Sequence, residues 1–145
     1  MKKILKSYIN ASLIYAILAL IGGVYYREFT KFMGYTGKTM LSVVHTHYFL
    51  LGMVFFLLLL VLEKCFAFGN EKTEKLVIAY NSGLNLTVLM MLVRGTLQVL
   101  GTPLNNVVNA SISGIAGIGH IVLGVSLFMI LLEIRKAISS QKKQA

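Results

Sequence analysis

The chain has 145 residues, 57% of them hydrophobic and 13% charged, with a formal net charge of +9 and a mean hydropathy of +0.77. A water-soluble domain cannot hide that much apolar surface, because its outside must be wetted. The charge does not point to nucleic acid, since the basic residues cap apolar runs and form no stripe or aromatic-interleaved patch; the single cysteine, Cys65, excludes an intrachain disulfide and any Cys-based metal motif.

A helix needs about 20 apolar residues to cross a bilayer, and four such runs use up the chain. Met1-Lys2-Lys3 ahead of an apolar run has the outline of a signal peptide, but the run outlasts the apolar core of one. It is therefore read as the first span, about 8–26. A loop at 27–41 carries Arg27, Glu28, Lys31 and Lys38. The second span is about 42–63 and the third about 76–100, separated by a charged loop with Lys64, Glu71, Lys72, Glu74 and Lys75. The third loop, GTPLNNVVNA, contains Pro103, the only proline, and precedes a fourth span at about 111–134. The expected fold is all-α, one integral membrane four-helix bundle covering 1–145. Lys2, Lys3, Lys6, Lys64, Lys72, Lys75, Arg135, Lys136, Lys142 and Lys143 lie on one side, and only Arg27, Lys31 and Lys38 on the other. The positive-inside rule then puts both termini in the cytoplasm of a bacterial inner membrane.

Ionisable groups inside spans are costly and are functional candidates by default. Here they are His45, His47, Arg94 and His120, which include every histidine of the protein. With that orientation, the two helix-2 histidines sit in its first two turns. Arg94 lies about 9 Å before the outer end of helix 3 and His120 about 13 Å below the start of helix 4. All four fall in the outer half of the bilayer. His120 shares a face with Ser113, Ala116, Gly117 and Gly124, small residues that admit something flat or a second helix. His45 shares a face with Tyr48, Gly52, Phe56 and Glu63, while His47 is about 200° away. Periodicity favours His45 as the inward histidine and turns His47 toward a neighbouring subunit, unless the first turn is irregular. Polar stripes on helix 3 (Tyr80, Gly83, Thr87, Arg94, Gln98) and helix 1 (Tyr8, Ser12, Tyr15, Ala19, Gly22, Tyr26) are expected to close the bundle around the histidines.

Three readings follow. In the first, a b-type haem takes axial imidazoles from helices 2 and 4, His45 and His120, in a bundle with room at Gly52, Gly117 and Gly124, and Arg94 pairs with a propionate. In the second, the histidines hold copper or zinc. In the third, the histidines and Arg94 only hydrogen-bond helices together. An enzyme is disfavoured, because no nucleophile–base pair is visible in the spans.

Tyr26-Arg27-Glu28-Phe29-Thr30-Lys31, Gly37-Lys38-Thr39, Ser42-Val43-Val44-His45-Thr46-His47, Leu51-Gly52, Leu62-Glu63-Lys64, Arg94-Gly95 and Gly119-His120 resemble an uncharacterised family of small bacterial four-helix membrane proteins, a domain of unknown function. His45-Thr46-His47, Leu51-Gly52 and His120 are also similar to haem-binding membrane proteins of the haem-copper oxidase and NnrS type. That similarity implies a four-helix unit acting as one arc of a homo-oligomer, a trimer by analogy with three arcs of four. The full histidine set of an oxidase centre is missing, so oxygen reduction is not implied, and no redox partner is indicated.

Overall fold

The computed structural model describes residues 2–141. Four helices carry the chain: α1, Lys2–Phe32; α2, Leu41–Phe66; α3, Glu71–Val99; and α4, Asn106–Gln141, with no strand among the described residues. All four are long and apolar enough to cross a membrane. Large apolar side chains cover the outside: Ile17, Leu20 and Val24 on α1 and Ile118, Ile121 and Phe128 on α4 are each more than half exposed. Water would not tolerate continuous apolar faces of that extent, and the chain has the build of a multi-pass membrane protein.

Every helix runs past its apolar run, so Arg27, Glu28 and Lys31 lie on α1 rather than in a loop. Hydropathy marks where a helix would meet hydrocarbon, whereas caps mark where it ends. At the end of α1, Gly34 is left-handed (φ +61°) and the Gly34 and Tyr35 N–H groups donate to Lys31 O and Thr30 O. The same motif closes α3 at Gly101 (φ +63°), with bonds to Gln98 O and Leu97 O; glycine adopts this conformation without penalty. Asn70 caps the start of α3 by accepting from Thr73 N–H at 3.0 Å, with Glu71 and Glu74 in the first turn, where the helix dipole favours them. Asn105 does the same for α4 by accepting from Val108 N–H. One end of the molecule thus carries the starts of α1 and α3, the loop 67–70 and the end of α4. The other carries loops 33–40 and 100–105.

The helices pack in chain order, α1 on α2, α2 on α3 and α3 on α4, and α4 also meets the Phe55–Phe66 part of α2. Between membrane helices, close backbone approach replaces the hydrophobic drive available in water, and glycines make each approach possible. A Cβ on Gly83 would lie 2.6 Å from Leu123 N, and one on Gly119 would lie 2.7 Å from Thr87 Oγ1, so α3 and α4 touch backbone to backbone. The Tyr15 ring fills the space over Gly52, and Leu41 packs on Gly95.

The middle of α2 is irregular: Tyr48–Val54 is a π-helical segment. Widening the turn displaces carbonyls from their usual donors, and both adjoining helices supply replacements. Tyr80 of α3, fully buried, donates its hydroxyl to Leu51 O at 2.7 Å, and Ser12 of α1 donates to Met53 O at 3.0 Å. Beside them, the Tyr48 hydroxyl donates to Asn85 Oδ1, Asn85 Nδ2 to the Tyr15 oxygen, and the Tyr15 hydroxyl to Asn81 Oδ1.

Two outcomes follow for stability in detergent, measured by SDS-driven unfolding. Gly83→Val drives a side chain into the backbone of α4 and costs at least about 1–3 kcal/mol, whereas Gly114→Ala, with nothing within 4 Å, changes stability by less than about 0.5 kcal/mol. Ser12→Ala leaves the Met53 carbonyl without its hydroxyl donor and costs about 0.6–1.7 kcal/mol.

Candidate functional site

His45 and His47 leave α2 in different directions, as the spacing requires, and each meets a different helix. His45 is half-buried against α1, where a Cβ on Gly23 would lie 3.7 Å from His45 Cβ. Its Nδ1 is enclosed and has no hydrogen-bond partner among the described residues. His47 points the other way, toward α4. Its ring centre is 6.5 Å from that of His120, with the ring planes perpendicular. The structure therefore brings His47, not His45, to His120, and His47 faces α4 of its own chain rather than outward. The physical reason is that α2 lies between α1 and the α3–α4 pair, so residues on opposite faces of α2 both meet protein.

Both paired histidines are held alike. His47 Nδ1 is 2.8 Å from Val43 O, and His120 Nδ1 is 2.8 Å from Ala116 O. A carbonyl can only accept, so each Nδ1 carries the hydrogen, and in neutral imidazole Nε2 keeps the lone pair. This is the arrangement in which metal-binding histidines are oriented by a backbone carbonyl. Both bonds stay within one helix and tie no two helices together.

Arg94 lies on the same side, half-buried between α3 and α4. Its Nη2 donates to Asn109 O at 3.1 Å, to Asn109 Oδ1 at 2.7 Å and to Ser113 Oγ at 2.7 Å. Every partner is neutral, and no carboxylate pairs with it among the described residues. A groove of about 290 Å³ joins Arg94 to His120 and is lined also by Met40, Met90, Met91, Ser113, Ala116 and Gly117. Gly117 and Gly124 face open space, with nothing within 4 Å of an added Cβ. Gly52 does not, because Tyr15 occupies its space.

The polar stripe of α1 packs on α2 and reaches α3 through Tyr15, and it encloses only His45, so the bundle does not close around all three histidines. On α3, Tyr80, Gly83 and Thr87 are buried, Arg94 turns to α4, and Gln98 accepts from Met40 N–H at 2.8 Å. Sequence spacing does not reveal that Met40 joins the adjacent Met90 and Met91, about 50 residues on in the chain. The sequence reading also passed over Asn81 and Asn85, although two amides one turn apart in an apolar run were visible. No group of three or more His, Cys, Asp or Glu side chains able to hold a metal occurs among the described residues.

No curated protein and no solved structure matches the chain. A family model does, over residues 5–137, which includes both paired histidines, Arg94 and all four helices. The chain belongs to the family described as protein of unknown function (DUF2871).

Proposed function

We propose that this is a membrane haem-binding protein in which His47 and His120 are the axial ligands of a b-type haem and Arg94 pairs with an anionic edge of the macrocycle. The observation that carries this reading is the pair of imidazoles with both Nδ1 atoms engaged and their centres 6.5 Å apart. With metal–nitrogen bonds of about 2.0 Å, opposed imidazoles on one metal have ring centres about 6 Å apart, and a tetrahedral site brings them to about 5 Å. The spacing suits two imidazoles that hold one group between them. The groove beside His120 would take only an edge of the macrocycle. It is mainly apolar, is lined by Gly117, and contains Arg94, a donor suited to carboxylates that has no carboxylate partner among the described residues. A bound haem would supply one-electron chemistry; His47 and His120 would hold it and Arg94 would orient it, a role suited to electron transfer, sensing or haem handling.

The methionines favour a second reading, a soft ion such as Cu(I) held by imidazole and thioether. Arg94 counts against it. By helix rise, its contact at Ser113 is about 10 Å from His120, and a bare cation there meets about 2 kcal/mol of repulsion at an effective dielectric of 20. Zinc is poorer still, because only two histidines converge. The purely structural reading suits Arg94, which bridges α3 and α4, but not histidines that bond only within their own helices.

The proposal places the protein in a bacterial inner membrane with both termini cytoplasmic, and it includes a homo-oligomer, a trimer, in which a neighbouring copy covers exposed His120 and the open glycines of α4.

Absorption spectra of protein expressed with haem supplied test the ligand set. His47→Ala and His120→Ala each abolish or shift the Soret band, while His45→Ala leaves it. A band of wild-type position and intensity in His120→Ala rules the assignment out. Absence of any band, with stoichiometric copper that is lost in His120→Ala, establishes the second reading instead. Arg94→Leu lowers haem occupancy about ten-fold, as loss of a charge-assisted bond predicts. For orientation, exposed Cys65 reacts with a membrane-impermeant maleimide in lysed cells and not in intact spheroplasts; the reverse pattern would invert the topology.

A further inference from the structure

At the end of the molecule opposite the histidine-bearing turns, a second groove lies between the first turns of α1 and α3. It has a volume of about 260 Å³, and its lining includes Lys3, Ser7, Tyr8, Glu74 and Asn81, with apolar Ile4, Val77 and Ile78 alongside. None of its charged groups serves the site described above.

Three polar groups in this groove lack partners among the described residues. Tyr8 is 3% exposed, and its hydroxyl, which opens onto the groove, makes no hydrogen bond there. Glu74 stands apart from the other acidic residues: Glu28 lies beside Arg27, Glu63 accepts from Gly69 N–H, Glu71 holds Lys75, and Glu133 holds both Lys72 and Lys136. The Glu74 carboxylate has neither hydrogen bond nor ion pair among the described residues, and the Lys3 ammonium, at the same groove, has none either. A cation and an anion thus face one cavity without bridging each other, beside a tyrosine hydroxyl with no partner of its own among the described residues.

The position in the fold selects the ligand. Lys3 and Glu74 lie in the first turns of helices long enough to span a bilayer, the level at which such a helix meets lipid head groups. A groove of about 260 Å³ takes a head group whose chains remain outside. We propose that this groove binds the head group of a zwitterionic phosphoethanolamine lipid, with its phosphate on Lys3, its ammonium on Glu74, and the Tyr8 and Ser7 hydroxyls donating to phosphate or ester oxygens. An anionic phosphoglycerol head would bring its phosphate near Glu74 and offer that carboxylate only neutral hydroxyls, which leave its charge uncompensated. A phosphocholine head carries positive charge but no N–H to donate to it.

The test uses the full chain in nanodiscs made of equal parts palmitoyl-oleoyl phosphatidylethanolamine, phosphatidylcholine and phosphatidylglycerol, released into the gas phase for native mass spectrometry. Phosphatidylethanolamine is expected to dominate the retained lipid. Glu74→Gln and Tyr8→Phe are each expected to reduce it about ten-fold, the weight of a hydrogen bond to a charged group or a lost buried one. Glu71→Gln, whose partner is Lys75, is expected to leave it unchanged. Equal retention of the three lipids, preference for phosphatidylglycerol, or wild-type retention in Glu74→Gln overturns the proposal. Circular dichroism checks folding, and if Tyr8→Phe fails it, Glu74→Gln at an exposed position decides alone.

Discussion

A backbone carbonyl displaced from its helical partner inside an apolar bundle has no water to turn to, and the middle of α2 depends on meeting that demand. Tyr80 and Ser12, from helices on either side, supply the donors for Leu51 O and Met53 O. The π segment they support lies directly after His47, so the direction in which the first turns of α2 present their histidines depends on hydroxyls of two other helices. π segments occur often at functional sites, and here one separates the histidine-bearing turns from the regular Phe55–Phe66 part of α2.

Much of the fold was legible before any coordinates. Four apolar runs gave four helices, and the glycine and asparagine positions that close them, Gly34, Asn70, Gly101 and Asn105, were present as ordinary cap residues. The ends were drawn too short because apolarity was used as the criterion, and Lys, Glu and Arg continue a helix readily after hydrocarbon has ended. The π segment was not legible: YFLLGMV has no feature that separates it from a regular apolar turn, since its stability comes from Ser12 and Tyr80, both distant in sequence.

The candidate site was legible in its parts and not in its pairing. Helical spacing separated His45 from His47 correctly, but it could not say which neighbour each would face. The choice of His45 rested on the assumption that a helix in a bundle has one protein-facing side. Packed in chain order, α2 has two, one toward α1 and one toward α3 and α4. The same geometry gathers Met40, Met90 and Met91 into one groove, which no linear spacing could reveal. His47 and His120 are level with each other, while Arg94 reaches α4 two to three turns farther toward loop 100–105, at Asn109 and Ser113.

The close crossing of Gly83 and Gly119 joins α3 and α4 into one hairpin, and α1 with α2 forms the other. His47 belongs to the first hairpin and His120 to the second. Contacts within each hairpin are nearer in sequence than those between them, and the two imidazoles meet only when the halves dock, as Tyr80 meets the π segment it supports. A group held by both would act as a rivet between the halves, adding its binding free energy to their association. Ligand supply would then govern how much of the protein is fully assembled, as well as what it does once assembled.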